Sequence, residues 1–144
     1  MQSSLPIKIL LAEPDPGKRR FLADLLARGT ECWIVGESDN AADLQGRAGS
    51  LRPNVVVVSV DLFEQHDSPD LIADLSQLSG VEVIVISSWN DHRDVEAALK
   101  KGALGYLLEM DAGTELLAAV REVTAGEVYI SSGVVGLWQG AAGA

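Results

Sequence analysis

Ser59 ends the run Val55-Val56-Val57-Val58, the most hydrophobic strand candidate of the chain. Four consecutive β-branched residues between Arg52-Pro53-Asn54 and Asp61 fit a strand buried on both faces of a parallel sheet. In open α/β sheets chemistry sits at the carboxyl ends of the strands, so Ser59 occupies a place where a reactive side chain is expected. Ser87-Ser88 follows a second apolar run and could bind an anion, although a hydroxyl pair at a strand end more often satisfies nearby backbone groups. Asp15 lies in the turn Pro14-Asp15-Pro16-Gly17 and Asp61 two residues past Ser59; acids in such turns are usually solvated or capping. His66 and His92 have no ligand-like spacing and read as surface residues. No nucleophile–base pair is visible, so neither a catalytic residue nor a metal centre is expected.

Five apolar runs place these residues: Ile7–Ala12, Cys32–Glu37, Val55–Val60, Val81–Ser87 and Ala103–Leu108. Helical segments alternate with them. Lys18–Arg28 gathers Phe21, Leu22, Leu25 and Leu26 on one face, with Gly29 as a C-cap. Ala41–Ala48 is weaker, and Asp70–Leu78 spaces Leu71, Leu75 and Leu78 helically. Asp91–Lys101 stops at Gly102; Glu115–Ala125 turns Leu116, Val120 and Val123 inward, with Asp111 a cap upstream and Gly126 a stop. The alternation predicts an α/β fold with a doubly wound, five-stranded parallel sheet and helices on both faces. Residues 1–127 form that domain, and 128–144 read as a C-terminal extension or the start of a linker.

With 144 residues, 47% of them hydrophobic, the chain can bury a proper core without disulfides or metals. Its single Cys32 lies in an apolar run and reads as a small core residue in a reducing compartment. No apolar stretch approaches the ~18 residues a membrane span needs, and no secretory signal opens the chain. The expectation is a soluble, cytoplasmic module. Twenty-one acidic against 11 basic side chains give a net charge of −10, with only small basic clusters such as Lys18-Arg19-Arg20 and Lys100-Lys101. Direct nucleic-acid binding, which relies on Lys and Arg neutralising phosphates, is not expected.

From Ile7 to about Ser132 the chain resembles response-regulator receiver domains of the NarL/LuxR type. The resemblance rests on Lys101-Gly102-Ala103-Leu104-Gly105-Tyr106-Leu107-Leu108, then Ala119-Val120-Arg121-Glu122-Val123 and Gly126-Glu127-Val128-Tyr129. Ile9-Leu10-Leu11-Ala12, Arg52-Pro53 and Val83-Ile84-Val85-Ile86 agree with it. It implies a flavodoxin-like, or receiver-like, (βα)5 fold with five groups at the strand ends. Two acids help bind Mg²⁺, an aspartate accepts phosphate, and a hydroxyl and a lysine contact the phosphoryl group. In this chain those positions hold Glu13, Pro14, Ser59, Ser87 and Glu109, so three of the five groups are replaced. Mg²⁺ binding is then expected to be weak or absent. The Glu109 carboxylate, in place of an ammonium, repels an anion ~5 Å away by on the order of 3 kcal/mol at an effective dielectric near 20. Asp15 and Asp61 are the residues that could supply a displaced cation site or acceptor.

The resemblance also makes Tyr106 the switch aromatic of the fifth strand. Trp89, Lys101 and Arg121 are further switch or interface candidates. An atypical receiver is the leading expectation: it works without aspartyl phosphorylation, contacts a protein partner or a second copy of itself, and serves a DNA-binding effector domain outside this chain. A second is sensing of a small molecule in the vacated pocket. A third, an enzyme or cofactor binder, fails because Glu13-Pro14-Asp15-Pro16-Gly17 lacks the glycine-rich phosphate loop and two prolines remove N–H donors.

Overall fold

The computed structural model describes residues 6–64, 70–88 and 92–135. Strands β1 (Ile7–Ala12), β2 (Cys32–Ser38), β3 (Val55–Ser59), β4 (Glu82–Ser87), β5 (Gly105–Leu108) and β6 (Tyr129–Ile130) form one sheet in the order β2-β1-β3-β4-β5-β6. Every pairing is parallel. Helices α1 (Pro16–Ala27), α2 (Leu44–Leu51), α3 (Val60–Glu64), α4 (Leu71–Ser76), α5 (His92–Lys100) and α6 (Glu109–Thr124) connect them. Among the described residues no helix is long and apolar enough to cross a membrane.

Side-chain alternation along the strands divides the core. Leu10, Ala12, Val56, Val58, Val83 and Val85 pack with residues of α2, α4 and α5 on one face. Ile9, Leu11, Val55, Val57, Ile84 and Ile86 meet Leu22, Leu25 and Leu26 of α1 and Leu116, Val120 and Val123 of α6 on the other. The central strand β3 is buried at every residue, as a doubly covered parallel strand must be.

Several expectations are corrected. The sheet has six strands, because Tyr129 N–H donates to Leu104 O and Ser131 N–H to Tyr106 O, extending it along β5. Val60 does not prolong β3: it opens the short helix α3, which carries Asp61 back over the strand end. Helix α6 starts at Glu109 rather than Glu115, directly after β5, so Asp111 is no upstream cap but a member of its first turn. Phe21 leaves the inward face of α1 and is 52% exposed; only Leu22, Leu25 and Leu26 form the buried stripe. Arg28 is the C-cap of α1, and Gly29 follows it beside Leu117, whose Cδ2 would lie 2.8 Å from a Cβ there. Gly102 and Gly126 do adopt positive φ at the ends of α5 and α6. In β2, Ile34 pairs with Ile9 and Gly36 with Leu10, which leaves Val35 as an extra, bulged residue. Cys32 is partly buried against the α1–α6 side of the core, and burial pushes its thiol pKa up.

Candidate functional site

The carboxyl ends of β1 and β3 and the start of α6 bring acids together at one point. Glu13 follows β1 and is held there by main chain: its N–H donates to Ser38 O at 3.0 Å, and its carbonyl accepts from Arg19 Nη1 at 2.8 Å. Only 1% of the residue is exposed. Its carboxylate accepts the Asp15 N–H at 2.9 Å and a hydrogen bond from Ser59. Ser59, likewise 1% exposed, in turn accepts the Asp61 N–H at 3.2 Å. The structure therefore joins the Ser59 hydroxyl to the Glu13 carboxylate, with both residues almost wholly buried. Carboxylate oxygens of Glu13, Asp61 and Glu109 lie within 4.8 Å of one another.

Lys18 resolves this crowding, and sequence reading missed it. Its ammonium lies 3.1 Å from Glu109 Oε2 and 3.4 Å from Asp61 Oδ2. Asp15 sets this up as the N-cap of α1, its Oδ2 accepting the Lys18 N–H at 2.8 Å, while Pro16 opens the helix. Asp15 is thus a cap, as one reading of its turn expected. Asp61 is not merely solvated; it faces the cluster. The hydrogen bond to Glu109 leads in raising the Lys18 pKa, so the ammonium stays charged across the neutral range.

Burial is the main cause that raises the Glu13 pKa above 4.5, against the lowering effect of its hydrogen bonds from Asp15 and Ser59. A carboxyl that holds its proton more tightly when folded contributes most to stability below about pH 4.5 and loses that contribution as pH rises through the raised value. Glu13→Gln keeps an acceptor for Asp15 and removes the titration. We expect its urea midpoint to exceed the parent's near pH 7.5 and to match it near pH 4.

Ser87 ends β4, is buried, and with Val60, Phe63, Ile72, Asp94 and Tyr106 lines a cavity of about 340 Å³ on the α5 side. Tyr106 is 1% exposed, its ring turned into the core. Lys101 is exposed at the rim of the same cavity. Arg121 pairs with Glu31 at 2.9 Å, tying α6 to the start of β2. Trp89 and His66 lie outside the described residues, as does the side chain of His92. The space between Glu13, Lys18, Phe21, Leu22, Ile86 and Glu109 measures about 110 Å³.

A doubly wound parallel sheet with acids gathered at its strand ends is an arrangement that fits receiver domains. The chain belongs to the response regulator receiver domain family, whose model matches residues 9–121. It is 32% identical over 133 residues to the nitrate/nitrite response regulator protein NarL of Escherichia coli, covering 91% of this chain and 61% of that protein. It is 31% identical over 127 residues to the DNA-binding transcriptional activator DevR/DosR of Mycobacterium tuberculosis, covering 88% and 58%. The chain thus spans about three fifths of the length of these curated relatives. Among solved structures, a LuxR-family two-component response regulator from Aurantimonas superposes with a TM-score of 0.82 at 20% identity, over 90% of this chain and 93% of that one. The isolated receiver domain of Salmonella enterica RcsB with phosphomimetic BeF3⁻ gives 0.82 at 19%, over 92% and 98%. These two likenesses show the fold.

A divalent cation, which the family implies, does not fit the residues present. Pro14 offers no ligand atom, Asp15 spends its carboxylate on the helix cap, and the Lys18 ammonium already sits on two of the three clustered carboxylates. Mg²⁺ needs oxygen ligands at about 2.1 Å in near-octahedral order, and an ammonium between those oxygens competes with it directly.

Proposed function

We propose that this chain is an atypical receiver that signals without aspartyl phosphorylation, as the regulatory part of a NarL/LuxR-type transcription regulator. The observation that carries the reading is the strand-end cluster itself. The acceptor position is a buried serine bonded to Glu13 and the Asp61 main chain, and the family's lysine position is Glu109, held by Lys18. Phosphoryl transfer requires a cation and an ammonium placed where negative charge gathers on the transferred group. Here the clustered carboxylates would meet that charge with their own.

Output then passes through protein contact: to a second copy of the chain, or to a DNA-binding effector domain in the part of the regulator that this chain does not span. Two surfaces support such contact. One comprises α5, β5 and α6, where Met110 is 82% exposed; the other is the neighbouring α1, with Phe21 exposed beside the site. The domain itself, with its net charge of −10, leaves DNA contact to that effector.

Intact mass after incubation with acetyl phosphate and Mg²⁺ tests the reading. The unmodified mass is expected. A stoichiometric, Mg²⁺-dependent adduct overturns it, and peptide mapping would then address Asp61 and Asp15 first.

A further inference from the structure

Lys18 stands where helix electrostatics disfavour it. The first turn of α1 contains no acid, and the positive end of the helix dipole prefers anions there. A residue that breaks a local rule at a strand-end cluster marks a site where some other requirement prevails. That requirement is on the page: Glu109 and Asp61, 91 and 43 residues away in sequence, converge on its Nζ at 3.1 and 3.4 Å, and Glu13 lies behind them, almost wholly buried. The Asp15 cap fixes the Lys18 main chain by accepting its N–H, so the side chain starts from a defined point and reaches over the ends of β1 and β3.

We infer that Lys18 is the resident cation of the pocket, a tethered ammonium that bridges Asp61 and Glu109 in place of a divalent ion and bars such an ion from the three carboxylates. The inference deepens the reading above and rests on it, since a receiver without phosphotransfer has no need of an exchangeable metal. A tethered cation offsets part of the carboxylates' charge at any metal concentration. The pocket is thereby held in one charge state, insensitive to Mg²⁺. Removing the ammonium leaves three carboxylates, with oxygens within 4.8 Å of one another, facing one another without their bridge. An oxygen cluster of that kind takes up a hard divalent cation.

The test is calorimetric titration of Mn²⁺, then Mg²⁺, into the parent chain, Lys18→Met, Lys18→Gln and Lys18→Met/Glu109→Gln, with thermal melts confirming folding. Lys18 is 44% exposed at its side chain, so either single variant is expected to fold, and Lys18→Gln serves if Lys18→Met does not. The parent is expected to show no saturable binding. Both single variants should bind Mn²⁺ at least about tenfold more tightly, because a positive charge near the ion has gone, and the added Glu109→Gln should reverse the gain. Equal affinity of parent and single variants, no gain on removing Lys18, or a gain that survives Glu109→Gln would each overturn the inference. A parent that binds Mn²⁺ yet takes no phosphoryl group defeats the inference and leaves the function reading standing. A parent that takes a phosphoryl group while binding no Mn²⁺ does the reverse.

Discussion

Combining Ser59→Asp, Pro14→Asp and Glu109→Lys is expected to give a chain that gains up to about one phosphoryl group from acetyl phosphate, dependent on Mg²⁺, where the parent is expected to gain none. Each change answers one feature of the site. Ser59→Asp supplies a carboxylate acceptor at the end of β3, and Pro14→Asp adds an oxygen ligand between Glu13 and the Asp15 cap. Glu109→Lys places an ammonium at the first residue of α6 and withdraws the nearer of the two partners that hold Lys18 over the cluster. Ser59→Asp alone should gain little, because Lys18 still bridges Asp61 and Glu109 and the new carboxylate joins a buried Glu13. Intact mass at matched times, with and without Mg²⁺, reads the difference. An adduct on Ser59→Asp equal to that on the triple variant would show that neither the second acid nor the lysine matters.

Asp111→Ala should cost about 2–3 kcal/mol, since two hydrogen bonds to a carboxylate are lost together with the order they impose. Asp111 accepts the Ser131 hydroxyl at 2.7 Å and the Gly133 N–H at 2.9 Å. The Ser131 hydroxyl oxygen in turn accepts the Leu108 N–H at 3.1 Å, at a residue with no exposed surface. Glu115 repeats the device one turn on, accepting the Tyr129 hydroxyl at 2.7 Å and the Ser132 N–H at 3.1 Å. Burial, followed by that bond to Glu115, pushes the Tyr129 phenol pKa up to about 12. Hydrogen exchange should locate the loss: faster exchange at Leu108 and residues 129–135, unchanged protection in β1 and β3. A melting temperature within about 2 °C of the parent, where roughly 5–10 °C of loss is expected, would show that the clamp contributes little.

Sequence periodicity carried most of the fold because the strands are short apolar runs rich in β-branched residues. Val55–Ser59 and Glu82–Ser87 lie within a residue of the expected ends. It failed where local pattern is silent. Val60-Asp61-Leu62-Phe63 has no helical period, and β-branched Val60 reads as one more strand residue until α3 turns Asp61 toward Glu13 and Glu109. Glu109–Thr114 carries Gly113 and few apolar residues, so the start of α6 was hidden and Asp111 took the look of a cap. Two-residue β6 is too short for alternation to register. The site was legible as positions: Glu13, Asp61 and Glu109 do converge, whereas Lys18 was missed because its partners are remote in the chain. The signal that could have found it is local, a lysine in the acid-free first turn of α1.

The margins of the sheet bear on how copies of this chain can meet. At one margin β6 offers two residues, too few to template a neighbouring strand. At the other, β2 is seven residues long, but the extra Val35 breaks its regular pairing halfway along. A second chain laid against it would lose register at that point, as it would along any bulged edge. Neither margin therefore favours growth by strand addition, the route by which open parallel sheets run on into fibres. Any self-association of this molecule would then use its helical faces rather than an added strand.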